Sequence, residues 1–90
     1  MIRIFKHDEP GYQSWLEENP EGFVFNHLGG RDPKYNIIHN ASCRHLHRPA
    51  DEGVRTNVEK ICSDNLEELM NKATGLRGPA GWGCCKVCLG

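Results

Sequence analysis

The chain has 90 residues, a formal charge of −1 and 26% charged residues. That size suits one domain burying roughly two-thirds of its unfolded surface, and the charge lacks the excess that marks a nucleic-acid-coating protein or an acidic tail. No apolar run is long enough to span a bilayer, so no membrane partner is expected.

In chain order, Met1 to Lys6 sets Ile2 and Ile4 against Arg3 and Lys6, the alternation of a half-exposed strand. Tyr12, Trp15 and Leu16 fall at helical spacing between Pro10 and Asn19-Pro20, which predicts a short helix with an apolar stripe. Gly22-Phe23-Val24-Phe25-Asn26 has strand composition and runs into Gly29-Gly30-Arg31-Asp32, a turn that lacks the lysine ending of a phosphate loop. Tyr35 to Ile38 predicts a further strand that delivers His39 at its end, and Ala41 to Leu46 supplies a single turn carrying Cys43.

Arg48 to Gly53 reads as a polar loop, and Val58, Lys60, Ile61 and Cys62 as a short strand. Ser63 is the expected N-cap of the clearest helix. Asp64, Glu67 and Glu68 lie near its start, Lys72 near its end, and Gly75 as its stop. Leu66, Leu69, Met70 and Ala73 share one face. Gly78-Pro79-Ala80-Gly81-Trp82-Gly83 then makes an irregular approach to Cys85. The fold class expected is α+β: a small zinc-stabilised single domain with a short β-sheet and two or three helices. Residues 1–34 form a strand-helix-strand elaboration beside a zinc-binding unit at 35–90.

The chemistry concentrates in two clusters, His39-x-x-x-Cys43 and Cys85-x-x-Cys88. Zinc in structural sites is held tetrahedrally by thiolates and imidazoles contributed as close pairs, so His39, Cys43, Cys85 and Cys88 read as a four-ligand Zn²⁺ site. Lys6, His7, Asp8 and Glu9 interrupt the apolar start too soon for a signal peptide. The expected setting is therefore cytoplasmic and reducing. There, five cysteines, an odd number, point to a metal rather than a disulfide framework, and a small core benefits from such a staple. Asn40-Ala41-Ser42 matches a glycosylation acceptor only by coincidence in that setting.

Other ligand assignments fit the sequence as well. His45 and His47 lie close enough in sequence to replace His39 as ligand, and Cys84 competes with Cys85, although Cys84 would leave three residues before Cys88 instead of two. Cys62 reads either as a metal-proximal thiol or as a buried, inert one. The adjacent carboxylates Asp8-Glu9, Glu17-Glu18 and Glu67-Glu68 point in different directions on any helix, so they read as solvated faces rather than acid-base pairs.

From Tyr35 to Leu89 the residues resemble the zinc-binding N-terminal domain of the Ada DNA-repair methyltransferases. The resemblance is carried by His39, Cys43 and the following Arg44, by Ile61-Cys62-Ser63, by Glu67-Glu68-Leu69, and by Cys85-Lys86-Val87-Cys88. It implies a zinc unit and contact with DNA. Two departures stand out: His39 occupies the position of a family cysteine, and the loop before Cys85 is longer and rich in glycine. In the family that cysteine is the metal-bound thiolate that accepts a methyl group from a DNA phosphotriester, which imidazole cannot do. Replacing one of four thiolates by neutral histidine also brings the centre from about −2 to about −1, making the remaining sulfurs less nucleophilic.

The expected function is therefore a zinc-binding module, with a structural site of one histidine and three cysteines, that contacts DNA or another nucleic acid. Arg44, Arg48, Arg55, Lys60 and Lys86 are the candidate phosphate contacts. From Tyr35 onward seven Lys or Arg stand against six Asp or Glu, a surplus of one, so a basic surface requires the fold to segregate the signs. Two other functional classes fit the same residues. One is an enzyme, either a methyl-accepting repair protein or a nuclease-associated domain using His27, His45 and His47; a catalytic role is the lesser expectation, and no catalytic residue is assigned. The other is an adaptor that binds a protein partner through an apolar patch including Trp82.

Overall fold

The computed structural model describes residues 1–30 and 32–89, so Arg31 of the glycine-rich turn and Gly90 lie outside the described residues. Five strands form one sheet: β1 (Arg3–Phe5), β2 (Phe23–His27), β3 (Asn36–Asn40), β4 (Glu59–Ser63) and β5 (Gly83–Cys84), in the order β1-β4-β2-β3-β5. Two α-helices, α1 (Glu9–Glu18) and α2 (Leu66–Arg77), cover the sheet. Single-turn 3-10 helices occur at Pro33–Tyr35, Arg44–Leu46, Pro49–Asp51 and Arg55–Asn57. The architecture is the expected α+β class. Residues 1–34 supply β1, α1 and β2, and both strands share one sheet with β3, β4 and β5.

The helices form where the sequence supplies caps. For α1, Asp8 Oδ1 accepts the Gly11 N–H at 3.0 Å, Pro10 occupies the first turn, and Tyr12, Trp15 and Leu16 are buried. Beyond its end, a Cβ on Gly22 would lie 2.7 Å from the Trp15 ring, so the chain returns to the sheet directly beneath that indole.

For α2 the expected boundaries shift. Asn65 is the N-cap, its Oδ1 accepting the Glu68 N–H at 2.9 Å, while Ser63 is the last residue of β4. The Ser63 hydroxyl still serves the helix start, accepting the Asn65 N–H at 3.0 Å and donating to Glu68 Oε1 at 2.7 Å. Gly75 is helical, and the stop is Gly78 with φ of 79°, a left-handed conformation that a side chain resists. Each shift has its own cause: at the start two capping residues stand two apart, and at the end a helix tolerates an interior glycine when its apolar face is anchored.

Strand alternation sorts the core. Phe25, Ile38 and Ile61 point to one face and meet Leu69 and Ala73 of α2. Val24 and Cys62 point to the other face, with Phe5, and meet Tyr12, Trp15 and Leu16 of α1. His39 is registered opposite Val24 and so falls on the α1 face, between Ile38 and Asn40 on the α2 face. Trp82 packs against the α2-side core and donates its indole N–H to Thr74 Oγ1 at 3.0 Å. No helix among the described residues is long and apolar enough to cross a membrane.

Candidate metal centre

Each of the four sequence-predicted ligands arrives from a different local device. His39 stands on β3. Cys43 follows it on a tight turn whose N–H bonds to the Asn40 carbonyl at 2.9 Å and whose own carbonyl accepts from Leu46, opening the single turn Arg44–Leu46. Cys85 follows the two-residue strand β5, which runs parallel to β3, and its N–H bonds to the Ile38 carbonyl at 2.8 Å. Cys88 completes the knuckle, in which the Leu89 N–H returns to the Cys85 carbonyl at 2.9 Å.

The four side chains offer ligand atoms that all lie within 4.8 Å of one another. Cys43 Sγ and Cys85 Sγ are 3.9 Å apart. That separation is too long for a disulfide and close to the ~3.8 Å edge of a tetrahedron with metal–sulfur bonds of ~2.3 Å. His39 Nδ1 is buried and has no hydrogen-bond partner among the described residues. Such an orphan is costly in an apolar setting unless a ligand completes it. Donor set, spacing and the unpaired imidazole nitrogen all fit a metal ion.

Electrostatics favour the ligating forms of His39 and Cys85. Burial, with His45 and Lys60 adding to it, pushes the His39 ring down to about 4, so the imidazole is neutral and available as a ligand. Burial raises the Cys85 thiol, but hydrogen bonds from the Cys88 and Val87 backbone, from His45 and from Cys88 outweigh it and bring the group to about 7. Cys88 is pushed up to about 12 by burial and by the neighbouring Cys43 and Cys85 sulfurs, against the opposing Asn40 N–H, which donates to its Sγ at 3.2 Å. Clustered thiols resist ionising together without a cation, and a divalent ion reverses that balance.

Supporting contacts fix the ligands. The Asn40 side-chain amide donates to the Cys88 carbonyl at 2.8 Å, so one residue of β3 holds both the sulfur and the backbone of the last ligand. His45 Nδ1 lies 3.7 Å from Cys85 Sγ, with its ring edge-on to His39. His45 and His47 are therefore not members of the four-ligand cluster; His47 Nε2 instead sits 2.8 Å from the Ala41 carbonyl.

The competing cysteines separate cleanly. Cys84 is exposed and outside the cluster. Cys62 is registered to Val24, which is registered to His39, so two interstrand spacings, roughly 10 Å, keep it from the centre. It is fully buried and burial pushes its thiol up to about 12, the state of an inert core cysteine. His27 lies on the α2 side of the sheet, stacked on Phe25 and 2.8 Å from Glu59, so His27, His45 and His47 do not converge on a common catalytic position.

The five basic residues divide. Arg44, Arg48 and Lys86 are exposed. Arg55 is largely covered, with Nη1 3.9 Å from Glu9 and Nη2 donating to the Arg48 carbonyl at 3.3 Å. Lys60 departs from a surface role: it is 7% exposed and its amine donates to Asn26 Oδ1. The reason is topological, since β4 is an interior strand and Lys60 shares the α1 face with Cys62. Arg48, Arg55 and Lys60 nevertheless line one pocket that begins at His39 and His45, a convergence that the scattered sequence positions do not reveal. Lys34, not singled out in the sequence, joins Lys86 on an adjoining groove.

No family model, curated protein or solved structure matches the chain.

Proposed function

We propose that the protein is a zinc-binding module whose ion fastens the C-terminal knuckle to β3 and thereby shapes a basic surface that contacts nucleic acid. The four-ligand cluster carries this reading. Three thiolates and one neutral imidazole in tetrahedral spacing favour zinc among the common divalent ions. A shell closed by four protein ligands keeps no position for an activated water, which assigns the ion a structural role. Three thiolate ligands also suit a reducing, cytoplasmic setting. Cys43 and Cys85 are buried and a histidine holds the first ligand position, both of which weigh against methyl-accepting chemistry.

The nucleic-acid part of the reading is supported by Arg48, Arg55 and Lys60 around one pocket and by Lys34 and Lys86 on the groove that continues from it. The test is a binding titration of the zinc-loaded protein against single-stranded and duplex DNA over a range of salt. Association is expected to weaken steadily as salt rises, with the slope reporting the phosphates neutralised. Absence of salt-sensitive association at low ionic strength overturns the nucleic-acid reading; absence of zinc from the purified protein overturns the metal reading.

A further inference from the structure

The pocket beside the metal centre has a composition that neither the structural ion nor a general basic surface requires. It measures about 180 Å³, and Asn26, His45, Arg48, Asp51, Arg55 and Lys60 supply its polar lining. Lys60 rises from an interior strand, buried, and its amine donates to Asn26 Oδ1. An ammonium carries three donors, so beyond Asn26 it keeps capacity for an incoming acceptor. Arg55 Nε is likewise buried with no partner among the described residues. Buried cationic donors without acceptors are costly in an empty pocket and become favourable when an anion arrives.

The loop that brings Arg55 and Arg48 together is held from behind. Glu9 accepts the Gly53 and Thr56 N–H groups at 3.2 and 3.1 Å, and the Asp8 N–H bonds to Thr56 Oγ1 at 2.9 Å, so the start of α1 fixes the 53–57 segment. Arg55 Nη2 then reaches the Arg48 carbonyl. Three cations face one carboxylate in the lining, Asp51, whose Oδ2 is 4.0 Å from Arg48 Nε. With Glu9 behind Arg55 also counted, the three cations still outnumber the two carboxylates, which favours an anion such as a phosphomonoester, carrying about −1.5 to −2 near neutral pH.

Size decides what part of a nucleic acid enters. Pockets that bury a drug-sized molecule run to roughly 300–1,000 Å³, so this one takes a small polar group and excludes a base with its ribose. A phosphodiester within a strand is flanked by sugars on both sides and touches only the rim, whereas a terminal phosphate can be inserted. The wider groove that shares Asn26, His39, His45 and Arg48 with the pocket measures about 560 Å³ and leads outward past Lys34 and Lys86, a path for the adjoining strand.

We propose that the pocket formed by Arg48, Arg55, Lys60 and Asn26 binds a phosphomonoester, carried on the end of a nucleic-acid strand or on a free mononucleotide. The strand-end source rests on the nucleic-acid reading above; the phosphomonoester site does not. Arg48 presents a planar donor fork to the phosphate oxygens, Arg55 adds its unpartnered Nε–H, and Lys60 supplies a point charge.

The zinc-loaded full chain is titrated with one short single strand bearing a 5′-phosphate, a 3′-phosphate or only hydroxyl ends, with adenosine monophosphate and inorganic phosphate as competitors. A phosphorylated end is expected to bind at least about tenfold tighter than the hydroxyl form, the worth of one charge-assisted hydrogen bond. Lys60→Met and Arg48→Gln should each bring that ratio toward one with zinc content unchanged. Arg48 is exposed at the rim, with a side chain 67% accessible, so its replacement tests the site without disturbing the fold.

Equal affinity for phosphorylated and hydroxyl strands, with no competition from the mononucleotide, overturns the pocket and leaves the general nucleic-acid reading standing. Binding of the mononucleotide without binding of any strand supports the pocket and overturns the nucleic-acid reading. Loss of zinc from Lys60→Met, with the ratio unchanged in Arg48→Gln, also overturns the proposal and assigns the buried cation to balancing the metal–thiolate charge.

Discussion

The two faces of the sheet are held by different means. On the α2 face, Phe25, Ile38, Ile61, Leu69 and Ala73 form a wholly apolar cluster. On the α1 face, Cys43 and Cys85 belong to the same buried cluster as Phe5, Tyr12, Trp15 and Leu16. The side with a full helix across it needs only burial; the side where α1 covers β1 and β4 leaves the β3–β5 edge to a short knuckle. β5 contributes two residues, too few to hold an edge by backbone pairing. The metal cluster stands where helix cover and strand length both run out.

That contrast is open to direct disruption, and the largest effect is expected at the metal. Cys88→Ser or chelation should release the ion and remove hydrogen-exchange protection from β3, the Cys43 turn and the knuckle, because structural zinc binding contributes roughly 10–16 kcal/mol of apparent free energy in small domains. Protection that survives in residues 83–89 after complete metal loss would show that burial alone holds this edge. Acidification tests the same side with a worked sign. Metal binding requires the thiolates, so lowering the pH adds protons to the released state and weakens retention. A chromogenic zinc indicator should report rising release as the pH falls, and release independent of pH would exclude thiolate ligation.

A smaller effect is expected on the other face. Leu69→Ala removes a fully buried side chain from the α2 cluster and should cost about 2–5 kcal/mol in denaturant unfolding. Metal stoichiometry should not change, because the lesion lies across the sheet from the ligands. Loss of metal in this variant would mean the two faces do not behave as separate supports. The smallest effect concerns the entrance to α2: Asn65→Ala should cost about 1 kcal/mol, and Ser63→Ala a comparable or smaller amount, since Asn65 rather than Ser63 caps the helix. A clearly larger loss for Ser63→Ala would reverse that assignment.

The clustering of His39, Cys43, Cys85 and Cys88 was legible because metal-ligand chemistry imposes short spacings that survive in one dimension, and the same spacing selects Cys85 over Cys84. The helices were legible in type, from Tyr12, Trp15 and Leu16 in one and Leu69 and Ala73 in the other. Their ends were less so. Ser63 and Asn65 are equally good caps in sequence, and only the extension of β4 through Ser63 separates them. Gly75 carries the signal of a stop, but the backbone turns left-handed three residues later, at Gly78.

The strand order was not legible at all. Placing β4 between β1 and β2 depends on pairing across more than thirty residues, and no local pattern encodes it. The consequence falls on Lys60. Its place in an apolar stretch suggested a charge at the surface of a short strand, but an interior strand covered on both faces buries its polar members too.

His39 sits on a strand whose side chains alternate faces, one residue from Ile38 and one from Asn40. A slip of β3 by a single position would carry the imidazole to the α2 face and bring an isoleucine or an asparagine toward the cysteines, neither of which can replace it as a ligand. An ion bound at this cluster would therefore act as a proofreader of strand register. A misaligned sheet can still collapse, but it cannot capture metal.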